Sequence, residues 1–454
     1  MKDLTVGNEF RQIVWFSFPM LLGNFFQQIY SLVDSIIVGH FLGKEALAAV
    51  GVSFPVLYTL IAFIIGLGSG GTVIISQYYG ARNMMRVRQM IDTMMISMGL
   101  ASVVVTILGL LSSRIIFSWM NVPADVFDSA VIYLNISFAG SIIMFGFNVT
   151  ISILRGIGDS VRPLYFLILS SMLNVVFDLT FVLYFKMGVG SVAFATVLAQ
   201  AVSLLVSIIY LNKKQTSFKI HQRKMYFNRE LFLKSFRIGL PTGFQQTFVA
   251  LGMMTIIGLV NQYGATVAAA YTAVGRIDAI ASMPAMNLAT ALSIFTGQNL
   301  GAGKISRVRR GLWNTLLISG IVCLLVSLFV WFKGDVLLKL FTDDAQVVEI
   351  GKRYLLIVSS FYLFFSTMFS FTGLLRGAGA TLVPMFISLM SLWIIRIPIA
   401  YFLSDKIGID GIWWSIPISW FFGMVGSFFY YRSNRWTKSI VVKRNERSVF
   451  SETN

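Results

Sequence analysis

Three of the 19 acidic residues, Asp34, Asp178 and Asp278, fall well inside long apolar runs. A carboxylate in that setting costs roughly 3 kcal/mol or more unless it is paired, hydrated or neutralised, so each is a functional candidate by default. The other sixteen acids lie in loops, termini or at the ends of the runs. Asp34 and Asp178 sit toward the outer ends of the first and fifth runs, at a shared depth, and Asn174 lies one helical turn from Asp178 on the same face. Two carboxylates and an amide can hold one Na+ through oxygen ligands. They can also share protons, because like charges in a poorly solvated site resist joint ionisation. The alternative role is helix joining through hydrogen bonds. Asp278 has Arg276 two residues before it, on a different helix face. It is either a counterion for a cationic cargo or a partner for Arg396 that helps assemble the second half. The apolar runs hold no Ser/His pair, metal-spaced His cluster or paired catalytic-Asp motif, so no enzyme is expected.

The elements that position these residues follow from composition. Of 454 residues, 56% are hydrophobic and 12% charged. That is about half the usual charged share and too little polar surface for a soluble protein of this length. Apolar runs long enough to cross a bilayer lie at 13–38, 46–78, 90–112, 130–155, 163–184, 189–211, 238–260, 267–298, 312–332, 354–375, 382–403 and 411–430. They predict an all-α polytopic membrane protein of twelve transmembrane helices. The net charge of +17 reflects topology rather than nucleic acid, since 26 of the 36 Lys and Arg fall in the termini and alternate loops of one side. Both termini are therefore expected in the cytoplasm of a bacterial cell, with the chain in the inner membrane. The basic tail, 432–454, is placed to meet anionic lipid headgroups. Cys323 has no partner for a disulfide and reads as a packing residue. His40 and His221 read as loop residues.

The chain repeats itself at an offset of 221 residues. Gln77-Tyr-Tyr-Gly-Ala-Arg with Arg86-Val87-Arg88 aligns with Gln298-Asn-Leu-Gly-Ala-Gly with Arg307-Val308-Arg309. Leu154-Arg-Gly-Ile-Gly with Pro163 aligns with Leu375-Arg-Gly-Ala-Gly with Pro384, and Glu9 with Glu230. Duplication with six spans per half gives two six-helix lobes facing the same way, related by pseudo-two-fold symmetry and flanking a central cleft, as in transporters. The organisation expected is an N-lobe at 1–211, a basic cytoplasmic linker at 212–237, a C-lobe at 238–431 and the tail. Arg155 and Arg376 are expected to hold helix-end carbonyls at the two Leu-Arg-Gly-x-Gly turns.

Together with Pro19, Val33-Asp34, Val38-Gly39, Ala46 to Val50, the two Gln-x-x-Gly-Ala motifs and Leu173-Asn174-x-x-x-Asp178, these features resemble the multidrug and toxic compound extrusion family. The resemblance spans nearly the whole chain. It implies a secondary active antiporter that exports amphipathic, often cationic compounds in exchange for H+ or Na+, by alternating access. It also implies a coupling site of Asp34, Asn174 and Asp178, joined by Thr196 and by Tyr30 one turn before Asp34. Pro19 removes a backbone hydrogen bond from the first helix and is the expected hinge. At the 221 offset Asn174 and Asp178 become Ile395 and Ile399, and the seventh span offers Gln245 and Gln246 in place of an acid. Coupling is thus expected in the N-lobe alone, as in the DinF-like branch. Gln245, Gln246, Asp278, Arg276 and Arg396 remain candidate substrate or lobe contacts. No cofactor and no metal beyond Na+ is implied, and a monomer is expected. The alternative is a lipid-linked-saccharide flippase of the same superfamily, which needs a more basic cavity than Arg276 and Arg396 supply.

Overall fold

The computed structural model describes residues 3–214 and 225–442. His221 and parts of the expected linker and tail lie outside the described residues. Every regular element among them is helical: α1 (Glu9–Ile37), α2 (Gly43–Gly80), α3 (Met84–Trp119), α4 (Ala124–Ala139), α5 (Ser141–Gly156), α6 (Val161–Leu179), α7 (Gly190–Lys214), α8 (Arg229–Asn261), α9 (Ala265–Gly301), α10 (Ile305–Lys339), α11 (Ala345–Ser359), α12 (Tyr362–Gly377), α13 (Leu382–Leu389), α14 (Ile397–Ile407) and α15 (Ile409–Arg432). Helices satisfy their own backbone, which a bilayer demands. Side-chain caps start several of them: Asn8 Oδ1 accepts from Arg11 N, Asn83 Oδ1 from Arg86 N, and Asn228 Oδ1 from Leu231 N, all at 3.0–3.1 Å.

The twelve expected spans are present. The 72-residue run from Glu9 to Gly80 holds two of them, and eight further single helices are long and apolar enough to cross. The remaining two are broken. The helices α4 and α5, and likewise α11 and α12, meet at 50°. The sequence predicts one span for each pair, and the structure adds a bend within it. In the first pair Thr106 Oγ1 of α3 donates to the carbonyl of Phe138 at 3.0 Å; in the second, Ser327 Oγ of α10 donates to the carbonyl of Ser359 at 2.6 Å. Thr106 and Ser327, and Phe138 and Ser359, are equivalent positions in the repeat. A hydroxyl from the neighbouring helix thus supplies a donor to a carbonyl beside the bend, the usual condition for tolerating a break at membrane depth.

Two compact units divide the chain at unexpected points. The first contains Leu22–Tyr79 and Asn83–Gly239; the second contains Asp3–Leu21, Gly80–Arg82 and the chain from Leu240 onward. The opening turns of α1 therefore belong to the second unit, and those of α8 to the first. Each helix changes unit within three residues of a proline, Pro19 in α1 and Pro241 in α8.

Within the second unit, Leu4, Ile13, Phe16 and Met20 are buried among Leu292, Phe295, Leu312 and Leu374. The repeated Gln-Asn-Leu-Gly-Ala-Gly motif holds this segment. Gln298 Oε1 accepts from Leu4 N at 3.1 Å, Asn299 Nδ2 donates to Leu4 O at 3.0 Å, and Lys304 Nζ donates to Thr5 O at 2.9 Å. In the first unit Thr93 Oγ1 accepts from Asn228 N at 3.0 Å, and Gly70 packs so closely on the backbone of Ser235 and Gly239 that a side chain has no room.

Candidate functional site

In the first unit α1 brings Asp34 to Asp178 near the end of α6, just before the π-helical turn Thr180–Tyr184. The two carboxyl groups face each other within hydrogen-bonding reach. Asp178 and Asn174 are buried. Asn174 Nδ2 donates to Thr196 Oγ1 of α7 at 3.1 Å, and Thr196 Oγ1 donates to Val192 O at 3.1 Å. Asp34 Oδ1, Asn174 Oδ1 and both oxygens of Asp178 are buried with no hydrogen-bond donor from the described residues. Buried acceptors are rarely left so, and four together call for a proton or a cation. An all-oxygen donor set of two acids and an amide fits H+ or Na+. No cluster of three or more His, Cys, Asp or Glu suited to another metal occurs among the described residues.

The structure thus brings Asp34, Asn174, Asp178, Thr196 and Tyr30 together, and it adds Tyr133 of α4. Both tyrosines lie close enough to Asp34 and Asp178 to feel their charge. A signal for Tyr133 exists in the sequence: at the 221 offset it meets another tyrosine, Tyr354. Pro19 lies in the part of α1 that belongs to the second unit.

The second unit places its charge differently. Asp278 of α9 accepts from Tyr362 Oη through Oδ1 and from Tyr354 Oη at 3.5 Å through Oδ2. Tyr271 stacks on Trp413, with ring centroids 5.6 Å apart, and lies beside the Arg396 guanidinium. Arg396 closes a π-helical segment, Met390–Arg396, and is near enough to Asp278 for attraction, with no ion pair between the two side chains among the described residues. The hydrogen-bond partners of Asp278 are therefore tyrosines, and both roles open to it from the sequence, counterion or partner of Arg396, stand. Arg276 points away into an exposed position. Gln245 Nε2 donates to Ser388 Oγ at 2.6 Å and so ties α8 to α13, while Gln246 forms no such bond among the described residues. His40 lies exposed in a π-helical turn, Val38–Leu42, rather than a loop. Arg155 keeps its Nε buried without an acceptor from the described residues.

A family profile, MatE, matches the chain twice, over residues 19–180 and 241–402. The chain belongs to the MatE family. Each copy begins beside one of the prolines at which α1 and α8 change unit. Among MatE relatives, the probable multidrug resistance protein YpnP of Bacillus subtilis is 34% identical, covering 96% of this chain and 97% of that protein. The probable multidrug resistance protein YoeA of the same organism is 31% identical over 95% of this chain and 96% of its own length. A solved MATE family transporter of the MOP superfamily, in an outward-facing conformation, superposes with a TM-score of 0.90 at 26% identity, covering 97% of this chain and 99% of that one. The all-helical, multi-span architecture is that of MATE transporters.

Proposed function

We propose that this protein is a secondary active exporter of amphipathic small molecules, driven by H+ or Na+ entry through the Asp34–Asp178 site of its first unit. The family and the multidrug names of its relatives support export. The observation that carries the coupling role is the set of four buried acceptor oxygens on Asp34, Asn174 and Asp178 with no protein donor. Two carboxyls in contact cannot both ionise without a counter-charge, so the pair takes up a proton or a Na+ and discharges it when the site opens to the other side. Tyr30, Tyr133 and Thr196 position and polarise the pair, and Pro19 lets α1 flex as its charge changes. The excess of Lys and Arg on one side of the expected spans supports a cytoplasmic position for both termini. The lack of an acid at Gln245, Gln246, Ile395 and Ile399 supports the DinF-like branch, with coupling in the first unit alone.

The test is efflux of ethidium from cells lacking their own pumps, with Asp34→Asn and Asp178→Asn compared at equal membrane levels while the proton gradient and Na+ are removed in turn. Wild type is expected to extrude the dye and both variants to fail, and the gradient whose loss stops efflux names the ion. Full efflux by Asp178→Asn would overturn the coupling assignment. No dye export by wild type, with loss of envelope polymer on gene deletion, would favour a lipid-linked-saccharide flippase.

A further inference from the structure

The two units differ in the sign of what they leave unsatisfied. In the first, the buried groups at the charged site without partners are acceptors on Asp34, Asn174 and Asp178; in the second they are donors, Arg396 Nε and Trp413 Nε1. Arg396 is only 5% exposed and Trp413 is fully buried. The Tyr271 ring lies beside one and stacks on the other. The one hydrogen bond of the guanidinium among the described residues is weak, from Nη1 to the sulfur of Met253 at 3.7 Å. A thioether is a poor acceptor on a flexible side chain, and Met253 is itself 39% exposed. Asp278, the nearby counter-charge, has its oxygens engaged by Tyr354 and Tyr362. A buried guanidinium with five donors, one sulfur contact and no ion pair among the described residues is unstable on its own.

We propose that Arg396 is the recognition site for an anionic group on the cargo, covered by Met253 until cargo displaces it. A carboxylate or sulfonate suits the guanidinium fork and is drawn from water by a charge that no carboxylate among the described residues contacts directly. Ile257, one turn beyond Met253 on α8, is exposed and offers apolar surface to the rest of an amphipathic molecule. A phospholipid headgroup fits less well, because α14 continues for 11 residues beyond Arg396, roughly 16 Å of helix, before its end. The inference rests on the export reading and extends its cargo from cations to amphiphiles that carry an acid.

The test uses a matched pair of probes, cholate and its uncharged methyl ester, bound to the purified full-length protein in phosphatidylcholine nanodiscs and measured by equilibrium dialysis. Wild type is expected to bind cholate at least about tenfold tighter than the ester, the worth of one charged hydrogen-bonded contact. Arg396→Gln is expected to lose that preference and Arg396→Lys to regain part of it, which a purely structural role would not do. Met253→Ala uncovers the guanidinium and is expected to tighten cholate binding several-fold, so the proposal stays testable if Arg396→Gln fails to fold. Equal affinity of wild type for both probes overturns the proposal, as does a Met253→Ala variant that binds cholate no better than wild type. Loss of the preference when phosphatidylglycerol is added to the discs assigns the site to lipid and overturns it too. Ethidium efflux by the same wild type reports separately on the export reading.

Discussion

Glu9 accepts from Arg307 at 3.3 Å and from Arg310 at 3.0 Å, and the repeat's counterparts, Glu230 and Arg86, meet at 3.6 Å. In each case the acid comes from one half of the duplicated sequence and the arginine from the other. The first pair is the more enclosed, with side-chain exposures of 13–14% against 25% and 52%. A double-mutant cycle on thermal unfolding is expected to give about 1 to 2 kcal/mol of coupling for Glu9–Arg307, and under about 1 kcal/mol for Arg86–Glu230. Equal coupling in the two cycles would show that enclosure does not set their strength.

The prolines at the unit boundaries carry a second prediction. Alanine restores a backbone donor and has higher helix propensity, so Pro19→Ala and Pro241→Ala are expected to keep or raise the melting temperature while slowing efflux severalfold. Both are read in one preparation, by thermal unfolding and by transport in vesicles. Unchanged turnover in both variants would remove the hinge role.

Tyr133 and Tyr354 occupy equivalent positions, yet Tyr133 lies within electrostatic range of the Asp34–Asp178 pair and Tyr354 donates to Asp278. Tyr133→Phe is therefore expected to shift the H+ or Na+ concentration giving half-maximal efflux, and Tyr354→Phe to leave that midpoint in place. An equal shift in both would mean that the units share the coupling work.

Removing the hydroxyls beside the two bends is expected to be costly. Thr106→Val and Ser327→Ala each deprive a carbonyl of its side-chain donor, at about 1 to 3 kcal/mol if no other donor replaces it. Thermal unfolding of the two variants checks this, and a melting temperature within error of wild type would show that water or the bent helix itself satisfies the carbonyls.

Close backbone approach gives the sharpest contrast in stability. A Cβ on Gly80 falls 1.9 Å from the carbonyl oxygen of Gln298, whereas one on Gly258 meets nothing within 4 Å. Gly80→Ala is expected to abolish monodisperse protein on size-exclusion chromatography, and Gly258→Ala to be neutral. Normal yield of the Gly80 variant would mean that the two turns can separate without unfolding.

Much of this architecture was legible from the chain because bilayer thickness translates directly into the length of apolar runs, and because duplication wrote the same turn motifs twice. Asp34, Asn174 and Asp178 stood out since a carboxylate inside an apolar run demands an explanation. Tyr133 and Tyr362 did not, because a tyrosine in such a run is ordinary until a partner is known to face it. The broken spans were hidden for a related reason: neither Ala139-Gly140-Ser141 nor Ser359-Ser360-Phe361 contains a proline, and the hydroxyls that serve the bends come from another helix. Pro241 was in plain view, but its meaning depends on which neighbours the turns before it choose. The tyrosine-mediated arrangement of Asp278 and Arg396 likewise depends on tertiary packing that no spacing rule encodes.

The anchoring of residues 3–21 in the second unit has a consequence for how the protein is made. Leu4 leaves the ribosome 294 residues ahead of its bonding partner Gln298. Throughout insertion of the intervening spans the leading segment must wait undocked, and the second unit cannot complete its core until that segment returns. Maturation is thus closed by a segment made long before its partners, so a short deletion within residues 3–21 would stall biogenesis at its last step.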